Sequence, residues 1–278
     1  MALSALTYYS NSIVGQMMAG VDVDVTRADA SPKYPAGQGF TRADGNVFRY
    51  AHVGTAANAG QLVGQTTASG GATYGAAVVV ASASATAEPS ENPILPGQVG
   101  SHFVELTISS IAANKYQGGY LVTTRGTGLG ETYRIIGNTA SGTPTTGVLH
   151  VRLAEPIKVA LTATTGIIIV PSIFTDLAAS ATTSTTVTGV LMSTTTSTNL
   201  WAWVCTRGVV GCVEDNTVPV TAGNQIVASG NTAGAYAVLT NNGTTVASST
   251  SIRPIIGYSI TPAAGASTRN GAIMLQLE

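Results

Sequence analysis

The chain has 278 residues and a formal net charge of −1, with only 9% of residues charged and 44% hydrophobic. An ordinary soluble domain carries about 25% charged residues. The missing basic stripe argues against direct nucleic-acid binding. No stretch approaches the roughly 20 apolar residues of a membrane-spanning helix, and two cysteines do not make a disulfide framework. The surface is therefore expected to be covered by Thr, Ser, Ala, Gly and Asn. Such a surface can be buried against neighbours without desolvating many charges, which suits a subunit of a large assembly better than a freely diffusing enzyme.

Residues 1–40 read as an extended arm. Met1 to Gly20 lacks the basic start and continuous apolar core of a secretory signal. The arm mixes Leu3, Leu6, Tyr8, Tyr9, Ile13, Val14, Met17 and Met18 with Pro32 and Pro35, and the prolines forbid a helix through that stretch. Val21, Val23 and Val25 alternate with Asp22 and Asp24, a strand pattern with one wet face. The stretch is either a flexible terminus, a segment folded onto its own module, or one that orders against a partner.

From Thr41 the pattern becomes strand, turn, strand. Asp44-Gly45 is a hairpin signal before Val47 to Val53. Residues 66–101 are rich in Ala, Ser and Gly, with Ala76 to Val80 a buried-strand candidate. Strands are predicted over Phe103–Ile108, Gly119–Thr124, Thr132–Ile136, Val148–Leu153 and Ile167–Val170. The charge-free Thr/Ser/Ala tract at 178–199 is either a linker or an edge strand with a polar face. Further strands are predicted over Trp201–Cys205, Val209–Val213, Gln225–Ala228, Ala235–Thr240, Thr244–Ala247, Pro254–Ile260 and Gly271–Leu277, with Asn242-Gly243 marking a hairpin. Ile111–Lys115 is the one helix candidate. Short strands between regular turn signals predict an all-β chain. It divides into the arm (1–40) and two small sandwich- or barrel-like modules, central (41–180) and C-terminal (181–278).

The chemical motifs are sparse. Gly126, Gly128 and Gly130 imitate a phosphate-cradling loop, but strand-like residues follow where that chemistry needs a helix N-terminus, so a hairpin loop is expected. Asp22 and Asp24 share a face, but no third acid is close in sequence for a hard cation. His52, His102 and His150 each stand apart from Cys or acidic residues at zinc-ligand spacing and are expected to be surface or packed residues. No nucleophile elbow occurs. No catalytic residue, metal or cofactor is predicted. If Gly208-Val209 were a two-residue hairpin loop, Cys205 and Cys212 would face each other about 5.5 Å apart, which permits a disulfide. Free thiols are expected, because a chain without an export signal stays in a reducing cytoplasm. Trp201 and Trp203 share a strand face, as core residues or as interface anchors.

Several stretches are similar to virion proteins of tailed bacteriophages. They include Trp201-Ala-Trp203-Val-Cys205-Thr-Arg207-Gly208, Val213-Glu-Asp215-Asn-Thr217-Val218 and Pro254-Ile-Ile-Gly257-Tyr258. In the middle, Tyr116-Gln-Gly118-Gly119-Tyr120 and Tyr133-Arg134-Ile-Ile136-Gly-Asn138 fit, and near the front Asp44-Gly45 through Phe48-Arg49-Tyr50 to Leu62-Val63 resembles phage head decoration (capsid cement) proteins. The resemblance covers about two-thirds of the chain. It implies a non-enzymatic protein made in the host bacterial cytoplasm and bound to the outer capsid surface, where it stabilises the mature head against internal DNA pressure. Its implied partners are the major capsid protein and its own copies, as a homotrimer, without nucleic acid or membrane. The arm residues named above, with Trp201 and Trp203, are the expected capsid or oligomer interface. The alternative is a receptor- or carbohydrate-binding head or tail fibre component.

Overall fold

The computed structural model describes residues 17–18, 23–65, 96–108, 111–141, 147–181, 186–215, 219–239, 254–261 and 269–278. Among them there is no helix, and the protein is all-β. The first strands are β1 (Met17–Met18), β2 (Gly39–Thr41), β3 (Val47–Val53) and β4 (Leu62–Gln65). Five follow in the middle: β5 (Phe103–Thr107), β6 (Tyr120–Arg125), β7 (Thr132–Asn138), β8 (Val148–Leu153) and β9 (Gly166–Val170). The last are β10 (Leu177–Ala179), β11 (Gly189–Leu191), β12 (Leu200–Glu214), β13 (Gln225–Ala228), β14 (Tyr236–Val238), β15 (Gly257–Thr261) and β16 (Arg269–Gln276). The predicted hairpin at Asn242-Gly243 and the strands at Ala76–Val80 and Thr244–Ala247 lie outside the described residues. Ile111–Lys115 enters a turn, not a helix.

The chain forms two compact units, but not the sequential modules expected. Residues 1–69 and 173–278 make the first, and residues 70–172 the second. The reason is long-range pairing: β3 runs antiparallel to β12, with Val53 opposite Leu200 and Tyr50 opposite Trp203. The front of the supposed central module thus belongs to the same sheet as the C-terminal strands.

In the first unit, β12 belongs to two closed circuits of strands. One runs β3–β10–β4–β11–β12 and returns to β3; the other runs β12–β14–β13–β15–β16 and returns to β12. The Thr/Ser/Ala tract is therefore neither a linker nor an edge. Its β11 is buried throughout and sits between β4 and β12. Closure removes the exposed edges that short polar strands would otherwise leave.

β12 is one 15-residue strand where the sequence suggested two and a hairpin. At Thr206 it carries a bulge, because Cys205 pairs with Phe48 while Arg207 pairs with Val47. Before the bulge, the odd-numbered Trp203 and Cys205 face one core, while Ala202 and Val204 face a second core with Ala51, Val53, Val63, Leu177 and Leu191. After it, the even-numbered Val210 and Cys212 join the first core. An extra residue shifts a strand's facing by one, so the bulge keeps one side of the strand on one core. Gly208 follows, with φ +107°, a region L side chains rarely enter. A Cβ at that position would overlap Asn46 Oδ1. Asn46 fills the gap from the β2–β3 turn. Its Oδ1 accepts from Val209 N at 2.9 Å and its Nδ2 donates to Val209 O at 3.2 Å. That turn is the predicted Asp-Gly hairpin, with Gly45 at φ +85° and Asp44 Oδ1 accepting from Asn46 N at 3.0 Å.

A continuous strand also excludes the proposed cysteine pairing. Seven residues of extended chain separate the two Cα atoms by roughly 23 Å, far beyond disulfide reach. Both thiols are free and fully buried.

Residues 23–40 do not extend away from the body. Val25 and Phe40 are buried in the first core, with Val23 and Tyr34 packed against it. Asp29 bridges to Trp201 by reciprocal backbone bonds of 2.8 Å. The predicted strand over Val21–Val25 is absent in its described part. There Asp24 accepts from Thr26 N and Oγ1 at 3.0 and 2.7 Å, forming a local turn. β1 pairs in parallel with β2, Met17 beside Gly39 and Met18 beside Phe40.

The second unit is a five-stranded antiparallel sheet in the order β5–β8–β7–β6–β9. One face alternates into a core that includes Val104, Tyr133, Leu149 and Ile167. On the other face the registered neighbours interact: the Arg152 guanidinium lies 5.7 Å from the Phe103 ring centre, and His150 Nδ1 is 3.2 Å from Glu105 Oε1. Gly126, Gly128 and Gly130, at φ +79°, +77° and +86°, form the β6–β7 hairpin loop, as expected.

Burial pushes the Cys205 thiol up to about 11 and raises the Cys212 thiol further. Ellman's reagent should therefore find no reactive thiol in the native protein and two after unfolding. A fast-reacting native thiol would contradict the burial. Asn46→Ala should cost about 1–3 kcal/mol by leaving Val209 unpaired. Gly208→Ala should cost about 2 kcal/mol or more through backbone strain and overlap. Chemical denaturation measures both.

Candidate functional site

The sequence-predicted interface residues fall into three groups. Leu3, Leu6, Tyr8, Tyr9, Ile13 and Val14 lie outside the described residues. Met17 and Met18 are placed by their backbone pairing on β2. Trp201 and Trp203 lie where β3 and β12 pair, in an aromatic group with Tyr34, Phe40 and Tyr50.

That group follows from strand register. His52 stands opposite Trp201 and Tyr50 opposite Trp203. Tyr50 contacts both tryptophans, stacked on Trp201 at 5.6 Å and tilted against Trp203 at 5.1 Å. Tyr34 packs edge-on to Tyr50 at 5.3 Å, and Phe40 meets Trp203 at 6.0 Å. Trp203 is 1% exposed, so within this unit it is a core residue; Trp201 is partly exposed. Aromatic pairs in this geometry add about 0.5–1.5 kcal/mol each beyond area burial.

The polar rim joins Tyr50 and His52 to Asp29, Lys33 and Asp176, which sequence reasoning did not single out. Tyr50 Oη donates to Asp29 Oδ2 at 3.0 Å and accepts from Lys33 N at 3.3 Å. Lys33 Nζ lies 2.7 Å from Asp29 Oδ1. Burial, reinforced by the Asp29 carboxylate, raises the Tyr50 hydroxyl well above its ordinary value. His52 Nδ1 lies 3.1 Å from Asp176 Oδ1, and the ring meets Trp201 at 5.1 Å. A carboxylate holding an imidazole is a component of general-base sites. Here the pair fixes the ring beside Trp201. Among the described residues no three His, Cys, Asp or Glu side chains come together as metal ligands. Asp29 and Asp176 were invisible in sequence because Tyr50 and His52, the site residues they hold, lie 21 and 124 residues away.

The other surface feature is an apolar row on the second circuit. Val209, Met274 and Tyr258 are direct neighbours on β12, β16 and β15. Val209 is 48% and Tyr258 37% exposed, and nearby Ile255 is 50% exposed. Alternation along β12 after the bulge produces the row. A sequence reading that split β12 into two strands could not find it.

No helix among the described residues is long and apolar enough to cross a membrane. The chain matches no protein-family model, no curated protein and no solved structure.

Elsewhere on β3, Arg49 Nε and Nη2 donate to Glu278 Oε1 and Oε2 at 2.8 and 2.7 Å. Burial raises the Glu278 carboxyl, but the hydrogen bond and charge of Arg49, with smaller contributions from Thr206 and Arg207, together outweigh it and leave the group below its ordinary value of 4.5. A depressed carboxyl stabilises the fold above its unfolded pKa, and that contribution is lost as pH falls through the folded value. Wild type should therefore lose stability relative to Glu278→Gln as pH drops below about 4.5, with a difference at neutral pH under about 1 kcal/mol. Parallel denaturation curves from pH 7 to 3 test this.

Proposed function

We propose that this protein is a structural virion component, a decoration or cement protein on the outer surface of a mature phage head. The observation that carries the reading is the apolar row Val209–Met274–Tyr258 on a chain with 9% charged residues. Solvent-facing apolar area with few charges around it favours association at little desolvation cost. The sequence resemblance supplies the kind of assembly: the major capsid protein and further copies of the chain, arranged as a trimer. The protein works without catalysis, nucleic acid or membrane.

Stabilisation follows from mass action. A subunit that binds only the mature lattice shifts the equilibrium toward it, and weak contacts to several capsid subunits multiply through avidity. Residues 1–16 supply part of that grip through their apolar side chains. Residues 23–40 serve the fold of the first unit instead, because Val25 and Phe40 belong to its core and Tyr34 packs against it.

Cryo-electron microscopy of particles containing the chain should locate it on the outer head surface; density at a tail or fibre would favour the receptor-binding alternative. Val209→Glu with Tyr258→Glu should lower occupancy on particles and the oligomer mass by light scattering, while shifting the melting temperature by only a few degrees. Removing residues 1–16 should reduce occupancy and heat protection. Full occupancy in both variants would reject the proposed attachment surfaces.

A further inference from the structure

The sheet of the first unit is interrupted at one hairpin. β4 ends at Gln65 and β10 begins at Leu177, and these residues are direct antiparallel partners, followed by Gly64 with Ala178 and Val63 with Ala179. Such partners are usually joined by two to five residues. Here the connection contains the whole second unit, residues 70–172. Both ends of the interruption are tied into the first unit. Ser180 N donates to Leu62 O at 2.8 Å, and Gly54 N donates to Leu177 O at 2.8 Å.

Each unit is also complete as a packing object. The core of the second is drawn from residues between Val104 and Ile169, and its five strands pair among themselves. The two cores of the first unit use residues from 25–63 and 177–275. About 100 residues suffice for an independent core. Insertions are tolerated where entry and exit points are adjacent.

We propose that residues 70–172 are an autonomously folding module carried on the β4–β10 hairpin, and that the first unit closes both strand circuits whether or not this module is folded. The inference does not depend on the virion reading. It makes the module the part of the chain able to carry a binding surface of its own, separable by mutation from the surface on the first unit.

The full chain provides the test, because both of its tryptophans, Trp201 and Trp203, lie in the first unit. Tryptophan fluorescence therefore reports that unit alone, while far-UV circular dichroism reports both. Leu149 and Ile273 are fully buried in the second and first units respectively. In urea, Leu149→Ala should move one dichroism phase to lower denaturant and leave the fluorescence midpoint unchanged. Ile273→Ala should move the fluorescence midpoint. If Leu149→Ala unfolds the module without urea, that phase disappears and the fluorescence curve stays in place, which supports the proposal equally. If Leu149→Ala shifts fluorescence and dichroism together, or gives unfolded tryptophan emission in buffer, the proposal is overturned. Should Leu149→Ala yield no soluble protein, the milder Ile135→Val is read by the same criteria.

Discussion

The first unit depends on the single extra residue in β12. Period-two alternation is unforgiving: once a strand is in register, its faces are fixed along its length. β12 must serve two circuits whose interiors place different demands on it. In its first half both faces are buried, Trp203 and Cys205 in the aromatic core and Ala202 and Val204 in the core with Val63, Leu177 and Leu191. In its second half one face is core and the other meets solvent, with Val209 and Gly211 outward. The bulge at Thr206 reconciles these halves. Thr206 is itself buried, and its Oγ1 donates to Val47 O at 3.3 Å, so the irregularity leaves few polar groups without partners.

Neighbouring features support that irregularity. Asn46 supplies hydrogen bonds to Val209 where strand pairing changes from β3 to β16. Leu277 N donates to Thr206 O at 3.1 Å on the other edge. Tyr34 and Phe40 close over Trp203 from the N-terminal side. The aromatic group joins segments from the front and the back of the chain, so its packing acts as a long-range fastening more than as a local one.

The legibility of this fold tracked the range of the interactions. In the second unit the sheet was readable nearly strand by strand, and Val148–Leu153 matched β8 at both ends, because alternation and turn glycines are local signals. β10 and β11 were missed: three residues within a Ser/Thr tract carry almost no periodicity, and their strand character comes from partners such as Val63 and Cys205. Gly208 misled for a different reason. Glycine permits a positive φ in a turn or in a bulge alike, and only the arrival of Asn46 from far along the chain decides between them. The same limit hid the apolar row, which needs β12, β16 and β15 side by side, and the His52–Asp176 pair, which needs β3 beside the start of β10.

The order of synthesis gives the β3–β12 pairing another meaning. When Val47 to Val53 leaves the ribosome, its partner Leu200 to Arg207 has yet to be made, and the whole of residues 70–172 must be translated in between. Domains fold during synthesis as their residues become available. The middle unit can therefore be finished while the first sheet still waits, its apolar β3 and β4 uncovered. Nascent chains of this protein pass through a stage with a completed later domain and an incomplete earlier one. In that interval the few charges of the chain offer little electrostatic protection against premature association.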